Sequence, residues 1–218
     1  TPHAPARDAL PTHAQQELGV HKLEGALQFC RGKRPTNSCL GAYHQARMMS
    51  GGTSCGRNVT FGNITEANVN QLRKMNASIF PVRYHDKFYA EVPNGNPDFN
   101  QFATVDGVVV GAVCCRIEPP QSPDGHEALY IMTLGVLAAW RRRNIGTQLL
   151  RKVLDSLPRY PSVGELYLHV QTNNEEAIGF YKEHGFGVEE TIENYYKRID
   201  PPDCFVLRKR LRREGREG

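Results

Sequence analysis

Residues 140–147, Trp140-Arg141-Arg142-Arg143-Asn144-Ile145-Gly146-Thr147, hold the means to bind an anion. Three consecutive guanidinium groups precede a predicted helix start. First-turn N–H groups there lack intrahelical acceptors, and the helix dipole favours negative charge. Gly146 lets a ligand come close to the backbone. The plainer reading is a basic helix start with a packing glycine. A second candidate is His169, because an imidazole of pKa ~6.5 suits proton acceptance near neutrality. It sits on a predicted strand, residues 165–171, with Tyr167 and Gln171 on its face and Leu166, Leu168 and Val170 on the other. Tyr130 lies on an earlier strand, sharing a face with Met132 and Leu134 by alternation. A free phenol of pKa ~10 is a poor base at neutrality. From the residues alone, a hydrogen-bonded core histidine is the simpler account of His169. Tyr181, four residues after Ala177, is by the same standard a core aromatic.

The elements that would position these groups follow from periodicity. Residues 58–61 read as a short strand. Thr65 caps a helix with the stripe Val69, Leu72, Met75 and Ile79, ended by Pro81. Residues 85–92 suggest a second short helix. Strands at 99–105 and 108–117 meet at Asp106-Gly107, a tight-turn pair, and 119–125 is a Pro-rich loop. Residues 128–137 form an apolar run of strand length. A helix carries Ile145, Leu149, Leu150, Val153, Leu154 and Leu157, and Pro158 marks its end. Asn173 caps a further helix with Glu176 in the capping-box position, and Gly185 closes it. Residues 188–191 and 204–207 read as closing strands. The result is an α/β domain whose 129–185 stretch is a βαβα unit favouring a mixed sheet.

Composition sets the outer limits. The chain has 218 residues, 39% hydrophobic and 23% charged, with net charge +4. Residues 208–218 carry six Arg/Lys and two Glu, which accounts for the whole excess and leaves the body balanced. No gross nucleic-acid footprint remains there. The basic end reads most simply as solvated, with contact to RNA or an acidic partner as the other reading. No apolar run reaches the ~20 residues of a membrane span. The six cysteines form no C-x-x-C pair. They read as small buried hydrophobes in a reducing compartment, with Cys114 and Cys115 facing opposite ways. Residues 1–57 lack sustained period and read as a disordered extension with one weak helical stretch at 15–29. Residues 58–211 form the domain, and 212–218 a basic tail. Thr1 reads as the start of a fragment or processed product, with Met48-Met49 as a candidate shorter start.

The loop R-R-R-N-I-G at 141–146 resembles the coenzyme A loop of the GNAT superfamily, [RQ]-x-x-G-x-[GA], at its first and last positions. Asn144 replaces the middle glycine; asparagine is the non-glycine residue that best tolerates positive φ. Across 58–211 the chain is similar to NatE-type N-terminal acetyltransferases of that superfamily. The resemblance rests on 79–84 (IFPVRY), 111–116 (GAVCCR), 129–135 (LYIMTLG), 167–171 (YLHVQ), Phe180-Tyr181 and 194–199 (NYYKRI).

The resemblance implies a single domain with a mixed, mostly antiparallel sheet, parallel splayed strands and flanking helices. It implies acetyl-CoA as cosubstrate, no metal, and acetylation of protein N-termini, Met-starting ones above all. Tyr130 and His169 would deprotonate the amine through an ordered water, and Tyr181 would protonate the leaving thiolate. Leu134, Gly135, Val136, Arg141, Arg142, Arg143, Asn144, Ile145, Gly146, Thr147, Asn174 and Tyr181 would hold the cosubstrate. A bulge near Gly135 would present an N–H to the oxyanion. Phe80, Pro81, Val82, Tyr84, Met132, Tyr195 and Tyr196 would enclose the substrate methionine. Implied partners are nascent N-termini, NatA-type subunits and the ribosome, with no membrane and no specific nucleic acid. The implied compartment is the cytoplasm, with the nucleus second. A lysine or small-molecule acetyltransferase of the same fold, or a weakly active subunit of a NatA-type complex, are the alternatives.

Overall fold

The computed structural model describes residues 26–27, 58–120, 125–197 and 199–211. Seven strands form one sheet in the order β2-β3-β4-β5-β6-β8-β7. They are β2 (Val59–Asn63), β3 (Asn100–Val105), β4 (Val108–Glu118), β5 (Glu127–Val136), β6 (Val163–Gln171), β7 (Gly187–Ile192) and β8 (Cys204–Arg210). β5 and β6 pair in parallel, and every other neighbouring pair on this path is antiparallel. A two-residue β1 (Ala26–Leu27) pairs in parallel with β6 at His169 and Val170. The expected helical stretch at 15–29 is therefore strand at these two positions, where the open edge of β6 offers backbone partners. The rest of 1–57, most of the 119–125 loop and the 212–218 tail lie outside the described residues.

Both faces of the sheet are covered. α1 (Val69–Ile79) and α2 (Asp86–Asn94) lie on one face, where Leu72, Met75, Phe88 and Val92 pack with Phe102, Ala112, Tyr130 and Met132. α3 (Ile145–Ser156) and α4 (Glu175–Glu183) lie on the other, where Leu149, Leu150, Val153, Ala177 and Tyr181 pack with Leu129, Ile131, Leu166, Leu168 and Val170. The apolar stripes are those the periodicity implies. Two caps shift. Asn68, not Thr65, is the N-cap of α1, while Thr65 supplies its carbonyl to the Asn68 and Val69 N–H groups. Asn174, not Asn173, caps α4 and accepts the Ala177 N–H at 3.2 Å, so the residue three beyond the cap is Ala177 and no capping box forms. Asp106 and Gly107 take positive φ in the β3–β4 turn, as their types require.

β5 carries the decisive irregularity. Cys115 pairs with Ile131 and Cys114 with Thr133, so β5 uses one more residue than β4 at Met132. Alternation flips across that bulge. Tyr130 and Met132 pack beside α1 and α2, whereas Leu134 and Val136 pack on the α3 side. The expectations that Leu134 shares Tyr130's face, and that the bulge falls at Gly135, are both corrected. Counting by twos through an unseen insertion misplaces every later residue. Gly135 answers a different demand: a Cβ there would stand 3.0 Å from Phe80 Cζ and 3.2 Å from Ile79 Cδ1. Cys114 and Cys115 do face opposite ways, each buried in a different core cluster.

The β5–β6 ladder ends at the pair Tyr130–Tyr167. Beyond it β5 runs on to Val136 and β6 to Gln171 without a ladder between them. The charged end of the chain is partly built into the sheet. Arg208 pairs with Glu165 and Glu189, Arg210 pairs with Glu189, and Lys209 Nζ donates to the His184 carbonyl at 2.7 Å.

Candidate active site

The β5–β6 splay brings together the groups that sequence spacing singled out. Tyr130, on the last paired rung, and His169, two residues past it, leave parallel neighbours on the same face. His169 Nδ1 lies 3.2 Å from Tyr130 Oη, within hydrogen-bond distance. The imidazole is 5% exposed. The Tyr195 ring stacks on it at 4.7 Å and 10°, while Tyr130 and Tyr167 meet it edge-on at 5.5 and 5.9 Å. Burial pushes the Tyr130 phenol well above its ordinary value, and ionisation of Tyr195, Tyr167, Tyr196 or Tyr84 would push it further. Tyr130 therefore keeps its proton at neutrality. His169 is the titratable group of the pair suited to accept one.

The residues expected around a substrate side chain come from three segments. Ile79 ends α1, and Phe80 follows in extended conformation, breaking the helix before Pro81. Phe80, Tyr84 and Met132 are buried in one cluster, with Val82 packed against it and Pro81 exposed at its edge. Phe80 and Tyr84 meet edge-to-face at 5.7 Å. Tyr195 and Tyr196 meet at 4.9 Å in the β7–β8 connection, with Asn194 at φ 53. Burial raises the Tyr84 phenol first, with Tyr89, Cys114 and Tyr195 adding smaller upward effects. Phe80, Val82, Tyr84 and Met132 share the cluster of Tyr130, Tyr195 and Tyr196 belong to a second small cluster, and the Tyr195 ring against His169 is the contact that joins the two sides.

The expected cosubstrate residues gather on the opposite face and at the end of β5. Arg141 Nε donates to the Val136 carbonyl at 3.2 Å, tying the basic loop to the strand. Arg143 lies over Trp140 at 4.9 Å. Asn144 takes φ 62, ψ 13 as the N-cap of α3, without a side-chain cap bond, and Arg142 takes φ 60. The loop therefore keeps the left-handed turn that glycine would supply, and leaves the first-turn N–H groups of Ile145, Gly146 and Thr147 without a side-chain cap. A Cβ at Gly146 would meet Phe180 and Leu134 at 3.7–3.8 Å, so loop, bulged strand and α4 converge there. Asn174 is engaged in capping α4. Tyr181 is fully buried, and its hydroxyl has no hydrogen-bond partner among the described residues. Such an orphaned phenol fits a polar ligand atom entering the splay. Among the described residues no His, Cys, Asp and Glu cluster is arranged to hold a metal ion.

Asn144→Gly should leave binding of the expected acetyl-CoA unchanged or tighten it, because glycine relieves whatever left-handed strain asparagine carries, at most ~1 kcal/mol. Calorimetric titration checks this; weaker binding by the glycine variant would mean that the asparagine side chain itself holds the ligand.

Sequence reasoning placed Tyr167 on the face of His169 without giving it a role, and it missed Glu118 and Arg116. Tyr167 stacks on Tyr130 at 4.8 Å and 26°, and its hydroxyl donates to Glu118. Only strand register could have found them, and register is not written in a single strand's pattern.

Residues 69–186 match the Acetyltransferase (GNAT) family. The chain is 46% identical over 154 residues to N-alpha-acetyltransferase 50 of Danio rerio, covering 71% of this chain and 89% of that protein. It is 43% identical over 155 residues to the probable N-acetyltransferase san of Drosophila melanogaster, covering 71% and 82%. Among solved structures, Arabidopsis thaliana Naa50 in complex with the bisubstrate analogue CoA-Ac-MVNAL superposes with TM-score 0.65 at 44% identity, over 70% of this chain and 99% of that one. Arabidopsis thaliana NAA60 in complex with acetyl-CoA superposes with TM-score 0.62 at 25% identity, over 71% and 100%.

Proposed function

The chain belongs to the GNAT family of acetyltransferases, and from that premise we propose that it transfers acetyl from acetyl-CoA to the α-amine of protein N-termini, preferring methionine first. The observation that carries the reading is the 3.2 Å Tyr130–His169 contact beside an aromatic enclosure, at the mouth of the splay. A solved relative holds a CoA-linked peptide beginning with methionine, which supports the first-residue preference.

The chemistry follows from the groups present. An α-amine of pKa ~7.7–8.0 is largely protonated at neutrality and must lose a proton to attack. His169 accepts that proton through a water that Tyr130 orients. Arg141, Arg142, Arg143 and the N–H groups of Ile145, Gly146 and Thr147 hold the cosubstrate's phosphates, whose acetyl thioester supplies the electrophile. Attack forms the N–C bond and breaks the C–S bond. Burial raises the Tyr181 phenol, and Cys115 adds to the rise, so it stays protonated. A thiol of ordinary pKa ~8.5 is the stronger acid. Tyr181 thus acts on the departing sulfur as a hydrogen-bond donor more than as a source of a transferred proton. A methionine fits the enclosure because its unbranched thioether gains ~0.3–1.5 kcal/mol from each aromatic contact.

The reading extends to nascent chains at the ribosome with NatA-type subunits as partners, and to the cytoplasm as the compartment. Support comes from the family resemblance. A panel of peptides differing only in the first residue, assayed with the full chain and acetyl-CoA, should show methionine acetylated at least about tenfold faster than serine, the effect of ~1.4 kcal/mol. Equal rates, or acetylation of internal lysine alone, would sink the proposal.

A further inference from the structure

Four side chains form one row across the sheet at the point where β5 and β6 part. Arg116 on β4, Tyr130 on β5, Tyr167 on β6 and Arg208 on β8 are successive register partners. Register partners share a face, and these side chains touch. The Arg116 guanidinium lies 5.8 Å from the Tyr130 ring centre, the two rings stack at 4.8 Å, and the Arg208 guanidinium lies 5.1 Å from the Tyr167 ring centre. Both ends of the row are anchored. Arg116 donates to Glu118 at 2.5 Å and lies 3.9 Å from Glu91; Arg208 pairs with Glu165 and Glu189. Glu118 uses its other oxygen to accept the Tyr167 hydroxyl.

We propose that Tyr167, clamped by Glu118 and stacked on Tyr130, is a positioning residue that sets the meeting of Tyr130 with His169. The role rests on the acetyl-transfer reading above. Tyr130–Tyr167 is the last rung joining β5 to β6. Past it no ladder joins β5 directly to β6, and β1 pairs with β6 at His169 and Val170. The side chain that fills this last shared rung therefore bears directly on how Tyr130 leaves β5 relative to His169. Tyr167 touches both partners, one ring face against Tyr130 and an edge toward His169 at 5.9 Å. A smaller side chain leaves a ring-sized gap into which Tyr130 can tilt, and the 3.2 Å contact with Nδ1 is lost. Misplacement of a reacting group by about 1 Å costs up to ~10²-fold in rate.

The test compares Tyr167→Leu and Tyr167→Phe in the full chain. The measurements are kcat and KM on a Met-starting peptide, and long-range proton–nitrogen NMR correlations of the His169 imidazole without substrate. The leucine variant should lose about tenfold or more in kcat while its KM for acetyl-CoA stays within about twofold. Its imidazole correlations should change from the wild-type pattern to an exchange-averaged one. The phenylalanine variant keeps the stack and should hold kcat within about threefold, a hydrogen bond's share. A folded leucine variant with wild-type kcat and unmoved imidazole correlations overturns the role. If leucine prevents folding, Tyr167→Met removes the stacked ring while keeping more of its reach; unmoved His169 correlations there overturn it equally. Absent wild-type turnover would count against the acetylation reading alone, since the imidazole is read without any reaction.

Discussion

His169→Ala lowers acetylation of a Met-starting peptide by ~10²–10⁴-fold at neutral pH, the range of a positioned general base. Three features support a loss of that size. The imidazole touches Tyr130 at 3.2 Å, is stacked against the Tyr195 ring, and lies on the strand that diverges from β5 past Tyr167. Among the described residues its ring neighbours are the phenols of Tyr130, Tyr167 and Tyr195, and burial holds the Tyr130 phenol in its protonated form, so these do not replace the lost base. The deficit should shrink above about pH 8, where the amine deprotonates unaided. Tyr130→Phe should cost less, because a phenol that keeps its proton orients the water and does not take up the proton. Initial rates from roughly pH 6 to 9.5, with folding checked by circular dichroism, separate the two variants across the amine's titration. A folded alanine variant within about threefold of wild type throughout would return His169 to the core.

Gly135→Val raises the peptide KM by about tenfold or more and leaves the proposed cosubstrate loop intact. A Cβ at Gly135 already stands 3.0 Å from Phe80 Cζ and 3.2–3.3 Å from Ile79. The two further methyls of valine have no room unless the end of α1 backs away, and overpacking of this kind costs ~1–3 kcal/mol. Phe80 is a wall of the proposed methionine enclosure, so the displaced ring narrows or tilts that site. The basic loop is tied to Val136 and packs beyond the opposite face, so acetyl-CoA affinity should change little. Steady-state kinetics with both substrates varied, and a thermal melt, decide the matter. A raised KM for acetyl-CoA with an unchanged peptide KM would place Gly135 against the cosubstrate instead.

What the sequence made legible follows the range of each signal. Helix stripes and strand alternation are local, so the strand and helix order, the α3 stripe and the placement of Tyr181 could be read directly. The left-handed turn at Asn144 could be anticipated from residue chemistry alone, and φ 62 realises it. The β5 bulge could not, because Ile131-Met132-Thr133 has the same apolar look with or without an inserted residue. The Asn173/Asn174 pair offers two equal caps, and only the path of the preceding strand chooses between them. The Arg116–Tyr130–Tyr167–Arg208 row depends on the register of four strands, a quantity set by the whole sheet. Arg208, Lys209 and Arg210 read as part of a solvated tail because their partners, Glu165, Glu189 and the His184 carbonyl, lie more than a dozen residues away in sequence.

The three cysteines of the described domain give the molecule a chemical clock. Cys114, Cys115 and Cys204 are buried; burial pushes the Cys114 thiol up to about 12 and raises Cys115 well above its ordinary value. Disulfide-exchange and alkylating reagents need an exposed thiolate, so these thiols stay silent while the sheet is closed. Cys114 and Cys115 sit on opposite faces of one central strand, so labelling of the first reports loss of the α1–α2 layer and labelling of the second loss of the α3–α4 layer. Mass spectrometry of alkylated peptides over time therefore times the departure of each layer separately.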